Sequence, residues 1–322
     1  MLYSFYIDFS GDFMGKNNLK GSLILSFGAL IWGFAFVAQS AAKSVPPMTL
    51  NFLRFAVSAI VLSAVLKIFG IKTGEPIFPR KKAALKTALI AGAICGAMLA
   101  LAANLQQAGI NSYENGISAE ARAGFLTALY VILVPIISSF FGKRIHSLIW
   151  FSVLLAIVGV YMLCAWGGMG GIYTGDVLLF SCALGFSIQI LCVEKYCDSV
   201  GGLRLSFLEF LFCSAFSLIA ALIFEFGKAN IADIKSAIPS ILFLGVMSGG
   251  VGYTLQIIGQ RYAEASVASI AMSLESVFAA IGGWLIMSHA LYWYEIIGCV
   301  LVFAAIIIAQ LPGFKKSSEQ LS

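Results

Sequence analysis

Long stretches without a single Asp, Glu, Lys or Arg dominate the chain: residues 21–42, 87–113, 123–142, 145–175, 236–260 and 296–314. Each can hold a bilayer-spanning helix, which needs about 20 predominantly apolar residues. Four further segments become spans around one polar interruption: 46–66 around Arg54, 177–193 ending at Glu194, 205–224 around Glu209, and 265–287 around Glu275. The pattern predicts an all-α integral membrane protein with ten transmembrane helices.

Composition agrees. Of 322 residues, 60% are hydrophobic and 11% charged, where a soluble domain carries about 25% charged residues. The formal net charge of +5 matters less than where the basic residues lie, because Lys and Arg gather in cytoplasmic loops. With a cytoplasmic N-terminus, fifteen Lys and Arg fall on the cytoplasmic side and three, Lys43, Lys228 and Lys235, on the other. Arg54 and Arg122 remain inside helices. Both termini are therefore expected in the cytoplasm. The first 15 residues lack the basic region and unbroken apolar run of a cleavable signal peptide; they read as an extension, and translation from Met14 would suffice.

The chain also repeats itself. VPPMTLNFLRF (45–55) matches VGGLRLSFLEF (200–210), with Glu209 where the first copy has Arg54, and NLQQAGI (104–110) resembles TLQIIGQ (254–260). This defines a cytoplasmic extension over 1–20, a first five-helix repeat over 21–166, a second over 174–311, and a cytoplasmic tail over 312–322. Five is odd, so the second copy enters the membrane from the opposite side. Such inverted repeats place a substrate site near the bilayer midplane between the copies.

Ionisable groups at depth cost about 2.5–3.5 kcal/mol on insertion scales and so face the bundle interior or a hydrated cavity. Glu275 lies midway along the ninth span. Arg54 and Glu209 occupy mirror positions, each roughly 10 Å deep at the helical rise, with Asn51 and Ser206 three residues before them extending a polar stripe. Arg54 can alternatively snorkel outward. Arg122, close to Glu120, reads as an interfacial anchor, and Asp176 as an acid at a helix start. Gln106 and Gln256 are repeat equivalents whose mirrored depths suit paired gates or interhelical hydrogen bonds; Gln189 reads as an amide without a counterpart. Trp32, Tyr130, Tyr253 and Trp284 are candidate aromatic walls of the site, with packing as the alternative. Glycines crowd 245–252 and recur at Gly92 and Gly96, where helices can approach closely. Pro135 suits a kink. The seven cysteines read as packing residues, and neither a metal nor another cofactor is expected.

WGFAFV (32–37), PPMTLNFLRF (46–55), SAEARAGFLTALYVILVP (118–135) and YTLQIIGQRYAEASVASIAMSLESVFAAIGGWL (253–285), set in the duplicated five-helix plan, resemble the EamA-type family of the drug/metabolite transporter superfamily. The resemblance covers nearly the whole chain from about residue 20. It implies a ten-helix carrier of the bacterial inner membrane that moves small organic solutes, including amino acids and amines in some members, by alternating access. Members often carry Pro after the glutamate of the ninth helix, where this chain has Ser276, so a fixed kink there is not expected. They also often carry Gly-Glu after the fourth and ninth helices, where this chain has Gly142-Lys143 and Ser288-His289.

No GxxxxGK[ST] phosphate loop is present, which argues against ATP-driven transport by this chain. The expected partners are a small-molecule substrate and the lipid bilayer, with a homodimer as an option and nucleic acid excluded. Residues expected at the substrate are Trp32, Asn51, Arg54, Gln106, Tyr130, Gln189, Glu209, Tyr253, Gln256 and Glu275, with Glu275 and Glu209 as proton-coupling candidates. Arg54 facing a carboxylate, and Glu275 or Glu209 an ammonium, would suit a zwitterion. The alternatives are a receptor or assembly factor on the same scaffold and an intramembrane enzyme. The second is disfavoured because no span interior holds a histidine or a pair of aspartates, which intramembrane hydrolysis would use.

Overall fold

The computed structural model describes residues 18–73, 78–114, 119–166, 172–287 and 292–319. The amino-terminal residues on which the Met14 reading turns lie outside them, as does the side chain of Trp284. The described residues are helical without strands. The order is α1 (Asn18–Ala41), α2 (Pro47–Thr73), α3 (Lys82–Asn111), α4 (Ala119–Ala128), α5 (Tyr130–Phe140), α6 (Ser147–Cys164), α7 (Thr174–Val200) and α8 (Gly202–Phe224). Then come the short α9 (Ile231–Ser236), α10 (Ile238–Leu242), a π-helical segment (Phe243–Tyr253), α11 (Thr254–Gln260), α12 (Ala265–Met272), α13 (Leu274–Met287) and α14 (Trp293–Glu319).

Seven stretches among the described residues are long and apolar enough to cross a bilayer: Asn18–Ala41, Pro47–Ile68, Lys82–Asn111, Arg122–Phe140, Thr174–Val200, Gly202–Phe224 and Ile238–Gln260. Three further apolar helices, Ser147–Met162, Ala265–Ala279 and Trp293–Ala309, are shorter. The protein is a multi-pass membrane protein whose polarity is turned inward. On α8, Leu211, Leu218, Ile219, Leu222 and Ile223 are exposed while Ser206, Glu209 and Ser217 are buried. Only a hydrocarbon surrounding makes that distribution favourable.

Local chemistry sets the boundaries. Pro47 begins α2, where its missing N–H costs nothing, and the Glu225 carboxylate at the end of α8 accepts from the Met48 N–H at 2.9 Å and from the Thr49 N–H and hydroxyl, both at 2.8 Å. A negative group there also complements the helix dipole. Between α7 and α8 the chain reverses at Gly201 with φ of +87°, a conformation open to glycine.

Packing follows the small residues. α3 lies against α7 and α8, α2 against α8, α6 against α14, and α1 against the π-helical segment and α11 to α13. At Gly92 a Cβ would stand 2.4 Å from the Leu208 Cβ, and at Gly33 it would stand 2.8 Å from the Ala279 nitrogen, so both helix pairs approach to backbone contact.

Two helices carry one-residue interruptions of their helical pairing. The interruption between α4 and α5 falls at Leu129, upstream of Pro135, which sits inside α5. Although Ser276 replaces the proline of the family pattern, the helix carrying Glu275 does break, between α12 and α13 at Ser273, whose hydroxyl donates to the Ile270 carbonyl at 2.7 Å.

Candidate functional site

A small cavity, with about 40 Å³ of room for the centres of water-sized spheres, lies within the bundle. Its walls come from α1, α2, α3, α4 and α5 on one side of the sequence and from α7, the π-helical segment, α11, α12 and α13 on the other.

Two amide pairs face each other across it. Gln39 on α1 donates to the Gln106 Oε1 on α3 at 3.1 Å, and Gln256 on α11 donates to the Gln189 Oε1 on α7 at 3.0 Å. All four line the cavity. Gln106 and Gln256 thus make the interhelical hydrogen bonds expected of them, and both line the same chamber. The reading of Gln189 as an amide without a counterpart is overturned, because Gln39 is that counterpart. The signal was present: FVAQ (36–39) recurs as FSIQ (186–189) at the same spacing of 150 that relates Gln106 to Gln256, and Phe36 and Phe186 both line the cavity.

Glu275, just past the Ser273 break, enters from α13, and the Tyr130 hydroxyl at the start of α5 donates to its Oε1 at 2.9 Å. The two interrupted helices thus meet at this pair. Trp32 and Tyr253 form an aromatic wall with ring centroids 4.8 Å apart. The Trp32 indole donates to the Ser248 carbonyl at 3.2 Å. Along the same segment the Ser58 hydroxyl lies 2.7 Å from the Gly245 carbonyl. Side chains answering backbone carbonyls accompany the local departure from α-helical pairing.

Arg54 is only 2% exposed and lines the cavity, so it does not snorkel outward. Its guanidinium carbon lies 4.7 Å from the Phe55 ring centre, and its Nε and Nη2 have no hydrogen-bond partner.

Two predicted site residues are not in the lining. Asn51 donates to Asn104 at 2.7 Å, and Asn104 in turn to Ser217 at 3.2 Å, which ties α2, α3 and α8 together. Glu209 lies behind the wall: Gln189 donates to its Oε1 at 2.8 Å, while its Oε2 is buried without a partner. Sequence depth placed Arg54 and Glu209 alike, but helix rotation admits only the first to the cavity.

Ion pairs fasten the bundle at both ends of α7. At its start, Arg122 reaches both Asp176 oxygens at 2.7 Å, Tyr113 donates to Asp176 at 2.5 Å, and the guanidinium stacks 4.6 Å from the Tyr173 ring centre. Burial, followed by the hydrogen bond to Asp176, pushes the Tyr113 phenol up. Arg122 is therefore a buried cross-link of α4 to α7 rather than an interfacial anchor. Towards the other end, Glu194 pairs with Lys143 and accepts the first N–H of α12, from Ala265, at 3.1 Å, while Arg261 meets Asp198 at 3.3 Å.

These features define the class: a multi-pass helical membrane protein enclosing a mixed polar and aromatic cavity. The chain belongs to the EamA-like transporter family, whose model matches residues 19–165 and again 173–310. An "uncharacterized transporter" of Archaeoglobus fulgidus is 28% identical over 316 residues, covering 95% of this chain and 91% of the relative. The "uncharacterized inner membrane transporter YedA" of Escherichia coli K12 is 26% identical over 226 residues, 68% of this chain and 67% of the relative. A crystal structure 18% identical in sequence superposes with a TM-score of 0.72, covering 92% of this chain and 98% of the other, a likeness of fold alone.

Proposed function

We propose that the protein is a secondary transporter of small organic metabolites, amino acids or amines, across the bacterial inner membrane. It works by alternating access of the central cavity. On this reading the three shorter apolar helices also span the bilayer, giving ten spans in two inverted five-helix repeats, 21–166 and 174–311, with both termini cytoplasmic. The observation that carries the proposal is the mirrored amide pairs: Gln39 with Gln106 and Gln189 with Gln256 are contributed by the two copies and meet in one chamber. Two halves of matching build can exchange roles, one end closing while the other opens. The twofold match of the family model supports the same division.

Within the cavity Trp32, Tyr130 and Tyr253 supply apolar and aromatic contact, and Gln106, Gln189 and Gln256 supply neutral hydrogen bonding. Glu275 is the acid that answers a cationic group or carries a coupled proton. Asn51 and Glu209 act one layer behind.

The test is flux in liposomes holding purified protein, with labelled amino acids and amines and an imposed pH gradient. Solute movement that follows the gradient is expected, with at least tenfold loss in Glu275→Gln. Flux that survives this substitution removes Glu275 from the mechanism, and absence of flux for every solute removes the transport reading.

A further inference from the structure

Among the described residues, two cations held within the bundle besides Arg54 have acid partners. Arg122 has Asp176, and Lys143 has Glu194. Arg54, more buried than either, has Nε and Nη2 without any hydrogen-bond partner, and the ring of Phe55 beside it offers only the weak attraction of a π face. Neither carboxylate of the central region is bonded to Arg54: Tyr130 donates to Glu275 Oε1 and Gln189 to Glu209 Oε1, while Glu209 Oε2 is itself unpaired. A guanidinium stripped of water is unfavourable unless an anion replaces its hydration, and arginine does not escape that cost by losing its proton.

The identity of the orphaned atoms is informative. Nε and Nη2 form one edge of the guanidinium, with two N–H bonds side by side, and that edge matches the two oxygens of a carboxylate. Arg54 lines the cavity, while Nε and Nη2 are themselves closed off from it in this state, so an anion arriving from the cavity meets them once the guanidinium turns.

We infer that Arg54 is an anion subsite, and that the solute carries a carboxylate which docks on its guanidinium. The inference rests on the transport reading and narrows it: a simple amine meets Glu275 but leaves Arg54 bare, whereas an amino acid answers both. Carboxylate-bearing solutes are the substrate class, and amines without the acid group are not.

The experiment is ligand-dependent thermal stabilisation of the purified full-length protein in detergent. The probes are amino acids, the amines formed by removing their carboxyl group, and their methyl esters, applied to the wild type, Arg54→Gln and Arg54→Lys. Acids are expected to raise the melting temperature and amines and esters not to. Arg54→Gln should bind the acids at least about tenfold more weakly, as expected when one partner of a buried charge pair is truncated. Arg54→Lys, which keeps the charge and loses the fork, should fall between. Without ligand, Arg54→Gln should melt at or above the wild-type temperature, since it removes an unpaired buried charge; a purely structural arginine would instead lower it. Stabilisation by amines or esters equal to that by acids, no response to any acid, or full acid binding by Arg54→Gln overturns the subsite. Liposome flux of amines or esters with no response to acids does so while leaving transport intact. Acid binding through Arg54 without flux of any solute leaves the subsite standing and removes transport.

Discussion

Gln189 shows how much one side chain can organise. Its Oε1 accepts from Gln256 and its Nε2 donates to Glu209, so it forms part of the cavity wall and also the contact that holds the carboxylate behind that wall. Gln189→Leu leaves both oxygens of Glu209 without a donor. A loss of about 1–3 kcal/mol is expected for the stranded group, read as a lower unfolding midpoint in detergent. Adding Glu209→Leu should recover most of it, because removing both partners is close to neutral. A double variant as unstable as the sum of the two singles would refute this pairing. Residue type and repeat spacing marked Gln106, Gln189, Gln256, Glu275 and Arg54 as worth attention. Facing was not legible: Asn51 and Glu209 share the depth of cavity residues but point between helices, and Gln39 was overlooked although its spacing from Gln189 equals that of the other amide pair.

At the scale of elements, glycine governs how closely helices pack. Gly92 on α3 is the sharpest case, because a Cβ there would meet the Leu208 Cβ at 2.4 Å, an atom fixed to the backbone and unable to rotate away. Gly92→Ala should therefore push α3 from α8 and cost about 1–3 kcal/mol, the usual penalty of overpacking. Gly142 provides the contrast: nothing lies within 4 Å of its Cβ position, but its φ is +80°. Gly142→Ala is limited by backbone strain alone, about 1–2 kcal/mol. Melting of the two variants checks both, and an unperturbed Gly92→Ala protein would contradict the close approach. The apolar runs foretold these helices well because their length is set by bilayer thickness. The breaks at Leu129 and Ser273 were not foretold, since they depend on hydrogen bonding within each turn and on what packs beside it.

Over the whole molecule, the ion pairs at the two ends of α7 differ in kind. Arg122 and Asp176 have side chains only 6% and 13% exposed, whereas Arg261 and Asp198 are 46% and 63% exposed. Arg122→Gln is expected to cost about 1–3 kcal/mol, because Asp176 loses its charged partner and keeps only the Tyr113 hydroxyl and the Tyr173 N–H, and the loss should change little with added salt. Arg261→Gln should cost less than about 1 kcal/mol, since water and salt already screen that pair. Unfolding midpoints at low and high salt compare them directly. Equal losses would show that the Arg122 cluster is not the fastening it is taken for here. Since Arg122 joins α4 to α7 across the two halves of the sequence, its loss should also loosen that end of the cavity.

Sequence by itself determined the all-helical membrane class, the positions of most spans, the duplication and the family, because these follow from one-dimensional quantities: apolar run length, charge placement and repeat spacing. The tertiary structure decided which polar groups share a chamber. That choice depends on the rotation of each helix about its axis and on how closely glycine contacts let helices approach. For that reason Arg54 faces the cavity unpaired, while Glu209, its mirror in the sequence, is held behind Gln189.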